Sequence, residues 1–456
     1  MKAYYIFMII YVLLDLSYGY SEGLKYTHKD LGIENTSLTP LGALRAGNEE
    51  QSIPPWTGGV KQLPHGYRPG DHHPHPFEKD APLFTITHKN YHEYENKLTI
   101  GEIALMKKYP NSFKMTVYPT HRTASYPDWV YKAVIENASK ARLVEKGNGI
   151  QNAKISCPFP IPENGLQAIW NHLICFKSIT AKRISVQAAP TKSGEYTLMK
   201  IEEKTLVPFS QKKQLHRDFK ENDVYAYFLQ TIQSPARIAG TALLVHEYLN
   251  QVINPRKAWV YKPGFRRVIR SPNAAHDYPG TASDGLRTID DWNMFNGATN
   301  RYHWNLIGKK EVYVPYNCYT LHSNTLKYKD ILTKFHINQT YVRYELHRVW
   351  VVEAILKENR RHLYQRRRFY LDEDSWICLA AEMYDNSNEI WRVALAHPIN
   401  YYEVPIVWST ATVFHDLAAM RYLATNLNNE EKMDDFLIHL SIKNFTTNAL
   451  RNAGIR

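Results

Sequence analysis

Apolar and polar positions alternate most clearly between residues 341 and 397. Tyr344, Leu346, Arg348, Trp350, Val352, Ala354 and Leu356 share one parity of a first run. A turn at 357–361 leads to a second run at 362–371, and Asp372-Glu373-Asp374-Ser375 turns the chain into a third at 376–384. A further turn at 385–389 opens a fourth run at 390–397. Successive strand side chains point to opposite faces, and Asp, Asn and Ser satisfy turn amides, so this pattern predicts an antiparallel meander.

Helical spacing is confined to the first half. Thr99 with Glu102 forms a capping box that opens a helix stopped by Pro110. A second helix follows Tyr126-Pro127 and ends before Gly147-Asn148-Gly149. A third begins near Asn164, where Leu166, Ile169, Trp170, Leu173 and Ile174 make an amphipathic stripe suited to packing on a sheet. From Ile179 the period becomes two. Residues 184–189 and 195–201 around a turn at 192–194 read as a hairpin, and 224–232 and 238–252 as further strands. Residues 257–261 and 266–270 flank the tight turn Pro263-Gly264. An irregular segment at 271–297 precedes strands at 301–307 and 311–319, while the run 407–423 fits either helix or strand. The expected fold is mainly β: a large curved antiparallel sheet, an incomplete barrel of about ten or more strands, with about three helices over its concave side.

Composition agrees: 13% of the 456 residues are aromatic, including 32 Tyr and 10 Trp, which favours wide sheets over a bundle. The first 19 residues read as a cleaved signal peptide, with Lys2 before an apolar stretch and Ser17 and Gly19 at the small cleavage positions. Its loss removes Lys2 and Asp15, one charge of each sign, so the net charge stays +12. That balance favours anionic surfaces, and no recognition motif points to nucleic acid. Residues 20–82, rich in Pro and Gly, predict an extended arm wrapped over a domain at 83–430, followed by a tail at 431–456. Asp71-His72-His73-Pro74-His75 matches no defined metal spacing and reads as a solvated loop. Cys157, Cys175, Cys318 and Cys378 contain no Cys-x-x-Cys pair; they are either disulfides, with three pairings open, or buried thiols.

Eight segments then carry a resemblance. They include LTPLGALRAGN (38–48), IPPWTGG (53–59), YPTHRTASYPDWVY (118–131), CPFPIPENGLQAIWNH (157–172), PARIAGTALLVHE (235–247) and PGTASDGLRTIDDWNMFNG (279–297). Together with PLFTIT (82–87) and VRYELHRVWVVEA (342–354), they resemble a family of Gram-negative periplasmic proteins of unknown function. That family is described as similar to the outer-membrane lipoprotein-sorting (Lol-type) carriers. The resemblance implies a helix-capped half-barrel around an acyl-chain cavity, without enzymatic activity or cofactor. It implies a lipid or other hydrophobic molecule as ligand, with an RND-type exporter and an outer-membrane protein as partners. The implied place is the periplasm, with peripheral contact to the outer membrane.

On that reading Tyr344, Leu346, Trp350, Val352, Trp259 and Tyr261 are the expected cavity wall. Arg266, Arg270, Arg366, Arg368 and Arg287 are the expected contacts to anionic head groups or to an acidic partner, since guanidinium binds such groups bidentately. The competing expectation for these arginines is a solvated face with ion pairs to Glu345 or Glu353. Alternation places Arg366 and Arg368 on one face and Arg367 on the other, and likewise separates Arg267 from Arg266 and Arg270. Enzyme signatures fail: Ser283 has the wrong glycine spacing for a nucleophile elbow, and His246-Glu247 lacks a second His at position 250. Two other functions stay open: a module docking on an envelope export complex without ligand, and an ester hydrolase using Ser283.

Overall fold

The computed structural model describes residues 26–455 except 218, 221–222 and 272–275, so the expected signal peptide lies outside the described residues. Strands in chain order are β1 (Phe84–Thr87), β2 (Lys114–Val117), the small pair β3 (Arg142–Val144) and β4 (Gly149–Gln151), β5 (Thr180–Ala188), β6 (Met199–Leu206), β7 (Val224–Ser234), β8 (Ala242–Tyr248), β9 (Lys257–Lys262) and β10 (Arg267–Arg270). They continue as β11 (Tyr302–Pro315), β12 (Tyr344–Leu356), β13 (Arg366–Asp372), β14 (Cys378–Tyr384), β15 (Ile390–Tyr401), β16 (Ile406–Asp416) and β17 (Arg421–Leu427). Fifteen of them form one open sheet, ordered β1-β2-β12-β13-β14-β15-β16-β17-β5-β6-β7-β8-β9-β10, with β11 also paired to β12. Two meanders, 5–10 and 12–17, therefore meet at the β17–β5 pairing, and the ends do not close.

The three expected helices are present: α1 (Ile100–Lys108), α2 (Asp128–Lys140) and α3 (Gly165–Ile174). In α1 the Thr99 hydroxyl accepts from the Glu102 amide at 3.1 Å and the Glu102 carboxylate from the Thr99 amide at 2.9 Å. Two single turns, α4 (Tyr319–His322) and α5 (Tyr328–Ile331), and a terminal helix, α6 (Thr447–Gly454), complete the set. Helices do not all share one side. Gly101 of α1 lies against Val393 and Glu382, whereas α3 packs on β11 and β12 from the other face.

The run 407–423 resolves into β16 and β17. Their turn is Leu417-Ala418-Ala419-Met420, where Met420 takes φ +52° and Asp416 accepts from the Ala419 amide. No Gly or Pro marks it, so the sequence pattern runs straight through. Arg266 leaves its expected strand for a left-handed turn (φ +48°) that closes the β9–β10 hairpin. The histidine stretch is not a solvated loop. His73 is buried with Nε2 3.0 Å from Glu403 and Nδ1 3.2 Å from His322, and His72 approaches the Asn428 carbonyl. The segment before β1 supplies Leu41, Ile53 and Trp56 to the main core. It is tied down by Trp376, whose indole donates to the Leu41 carbonyl, and by Arg348 and Arg122, which donate to carbonyls at 44 and 46. All four cysteines are buried free thiols. Among the described residues, no helix is long and apolar enough to cross a membrane.

Candidate functional site

Antiparallel partners lie on the same face of a sheet, so register alone assigns the faces of the first meander. One row across β5 to β9 reads Arg183, Glu203, Gln230, Leu243, Val260, and the row beside it reads Ala181, Thr205, Phe228, Val245, Ala258. Over β12–β15 of the second meander this layer is packed by α3, the N-terminal segment and the loop after β10. Over β7–β9 the packed cluster shrinks to Val245 and Ala258, with Phe228 and Leu243 only partly covered. A cavity of about 520 Å³ remains between that face and residues 276–297. Leu173 and Cys175 of the α3 end, Val207, Trp408 and Phe436 complete its sides, and Lys177, Lys262 and Tyr278 lie at its border.

The roof is an irregular loop made rigid by buried charge. Asp290 and Asp291 each lie against Arg367 of β13, at 3.2 and 2.7 Å. Asp290 also lies 3.1 Å from His362 and accepts from the Thr288 hydroxyl, while Asp291 accepts from the Tyr364 hydroxyl and the Thr288 amide. Arg392 donates to the Gly285 carbonyl, and Gln187 to the Ala282 and Thr281 carbonyls. Burial alone would weaken the Arg367 cation, but Asp290 and Asp291 more than offset it and raise its pKa. Trp292 descends from this roof and meets Phe228 edge-on, with ring centroids 5.9 Å apart.

Most of the polar groups inside are matched. Arg183 donates to Asp434 at 2.8 Å and lies over the Trp408 ring, Gln230 donates to Glu203 at 3.1 Å, and Arg256 pairs with Glu247 at 2.7 Å. Arg287 differs: it is 8% exposed, lines the cavity, and donates a long 3.3 Å bond to the Thr288 carbonyl. Burial lowers its pKa, only partly countered by the charges of Asp291 and Glu203.

Of the residues expected at the site, Arg287 alone lines this cavity. Trp350, Val352 and Ala354 pair with Leu371, Phe369 and Arg367, so they share the cavity's face of the sheet. There the space is filled: Trp350 stacks on Trp376, and Val352, like Tyr344 and Leu346, is buried in the main core. Trp259 and Tyr261 face the opposite way, against α6, where the Gly454 Cα leaves no room between helix and Tyr261. Their neighbours Val260 and Lys262 line the cavity instead. Arg366 and Arg368 share a face, and both donate to Glu353 at 3.1 and 2.8 Å. Arg270 is exposed on β10 and Arg266 on the turn, both outside the cavity. Arg183, Glu203, Phe228 and the positioning arginine Arg367 are what sequence reasoning missed. Polar residues on the inner face broke the apolar alternation that would have revealed the wall.

Ser283 has no nucleophile geometry. It is buried, and its hydroxyl donates to the Gly280 carbonyl at 2.8 Å and approaches the Arg287 carbonyl at 3.3 Å. Among the described residues, one group has metal-ligand types close together: His347, Asp372 and Asp374, with ligating atoms within 4.8 Å. Both Asp374 oxygens already accept from Arg122, and His347 Nε2 lies 3.1 Å from Glu345. The group is part of a buried ion-pair knot.

Two solved structures are similar to this chain at low identity. A DUF1329 family protein from Desulfovibrio piger is 15% identical with a TM-score of 0.41, over 60% of this chain and 92% of that one. A LolA superfamily protein from Nitrosomonas europaea is 15% identical with a TM-score of 0.36, over 60% and 93%. An uncharacterised protein of Pseudomonas aeruginosa is 45% identical over 422 residues, 92% of either chain. The family model described as a protein of unknown function (DUF1329) matches residues 85–451. The chain belongs to the DUF1329 family.

Proposed function

We propose that this protein is a periplasmic, non-catalytic carrier that holds a lipidic or otherwise hydrophobic molecule in the roofed cavity. The observation that carries the reading is an apolar sheet face, Phe228, Leu243, Val245 and Val260, held away from its roof by about 520 Å³ of space. That volume lies within the ~300–1,000 Å³ range of small-molecule pockets. It suits one chain better than a multiply acylated anchor. Roughly ten buried methylenes supply about 8 kcal/mol, against an association cost of at least ~4 kcal/mol. A chain alone is therefore held weakly, and polar contacts decide affinity.

Transport requires loading and release, and the free edge of the sheet supports a contact for that purpose. At the β9–β10 hairpin Phe265 and Ile269 are 65% and 49% exposed, beside Arg266, Arg267 and Arg270. Among the described residues, no carboxylate pairs with these three. Such an edge suits an anionic lipid surface or an acidic partner, an export-complex subunit included. Filling the cavity tests the carrier reading. Leu243→Trp projects an indole into the space, and its thermal melt reports whether the fold is intact. A solvatochromic hydrophobic dye is expected to bind the wild type and to lose about tenfold or more in affinity for the variant. Equal binding by a folded Leu243→Trp protein contradicts the reading.

A further inference from the structure

Buried arginines elsewhere in this protein show what a satisfied one looks like. Arg367 faces Asp290 and Asp291, Arg122 faces Asp374, and Arg183 faces Asp434, all within 3.2 Å. Arg287 is just as deep and has none of this. Among the described residues, no carboxylate lies within ion-pair distance of it, and its donor bond, at 3.3 Å, ends on the Thr288 carbonyl. The two anions that act on it from farther away are committed: Asp291 to Arg367 at 2.7 Å, and Glu203 to Gln230 and Arg183 at 3.1 and 4.0 Å. Burial pushes Glu203 upward, which weakens its charge further. A guanidinium carries five donors, and those of Arg287 left unbonded by the protein face the cavity, open to an acceptor that arrives there. On the same cavity, Arg183 Nη2 is a buried donor without a partner.

Resting on the carrier reading above, we propose that the cavity's ligand is a single-chain amphiphile with an oxyanion head, carboxylate or phosphate, and that Arg287 binds that head. The tail then runs along Phe228, Leu243, Val245 and Val260, away from Arg183, Glu203 and Gln230 at the polar end of the sheet row. The head enters as the missing counter-ion. Gly280 places the guanidinium, because a Cβ there would come within 2.9 Å of the Arg287 Cζ and Nη1 atoms.

Three probes with one tail separate this inference from the reading beneath it: hexadecanoic acid, hexadecyl phosphate and hexadecanol, each titrated near neutral pH against a bound hydrophobic dye. At least one of the two anionic probes is expected to bind about tenfold or more tighter than the alcohol, and the better of the two identifies the head. Arg287→Met is expected to abolish that preference, by lowering the affinity for the anionic probes far more than that for hexadecanol, and Arg287→Lys to retain part of it. Gly280→Ala, which displaces the guanidinium without removing the charge, serves as a second variant; it too reduces the preference. Equal binding of all three probes to the wild type, or a preference that survives both Arg287→Met and Gly280→Ala, overturns the inference and leaves the carrier reading standing. Failure of all three to bind overturns the carrier reading and the inference with it.

Discussion

Adjacent acids in the Asp372–Ser375 turn titrate in opposite directions because of what faces them. Burial pushes Asp372 up to about 7, and the neighbouring Asp374 charge adds to it. Burial acts on Glu373 too, but Lys309, Arg348 and Arg122 hold that carboxyl down at about 2. An acid raised in the folded state stabilises it fully below its unfolded value, and that contribution is lost as pH rises through the folded value. Asp372→Asn is therefore expected to stabilise the fold by on the order of 2 kcal/mol at about pH 8 and by much less at about pH 4, read from urea unfolding at each pH. A gain that does not grow with pH would show that Asp372 is already satisfied as an anion. The Glu373 contribution runs the other way: it is present above its unfolded value and disappears as pH falls toward 2. At Ser283, substitution by Ala removes a hydroxyl bonded to its own loop, at about 1 kcal/mol, and is expected to leave any ester turnover by the purified protein unchanged.

At the scale of elements, the loop 276–297 depends on β13. Arg367→Met leaves Asp290 and Asp291 buried without their cation, a loss of about 3–5 kcal/mol. It is expected to expose the loop to limited proteolysis before the sheet unfolds. Replacing Arg366 and Arg368 by Gln on the other face removes partly exposed pairs to Glu353 and is expected to cost roughly 1 kcal/mol or less. If the loop of Arg367→Met resists protease as the wild type does, the clamp is not what holds the roof. This division by face was legible in the sequence, since alternation separates Arg367 from its neighbours. Its meaning was not, because the partners of Arg367 lie more than seventy positions earlier in the chain. The meander from β12 to β15 was legible to within a few residues for the same local reason. Trp259 and Tyr261 were misassigned because nothing local announces that α6 covers the outer face of β9.

In the whole molecule, the two meanders of one sheet meet different neighbours. Residues 341–397 have the most regular apolar alternation, and that regularity reflects a layer with core on it rather than a wall with space behind it. The cavity lies under the other meander, whose inner face carries Arg183, Glu203 and Gln230 among its apolar residues. Two of the segments that carry the family resemblance, 235–247 and 279–297, supply a wall strand and the roof. The overall fold class was therefore readable, while the position of the site depended on which face remained uncovered. The most direct test of the carrier account is native mass spectrometry of protein purified from its own envelope under gentle conditions. A population with an added mass that extracts into organic solvent as a lipid, and that is missing from Leu243→Trp, is the predicted result. Purely ligand-free protein for both, with no lipid recovered on extraction, would contradict it.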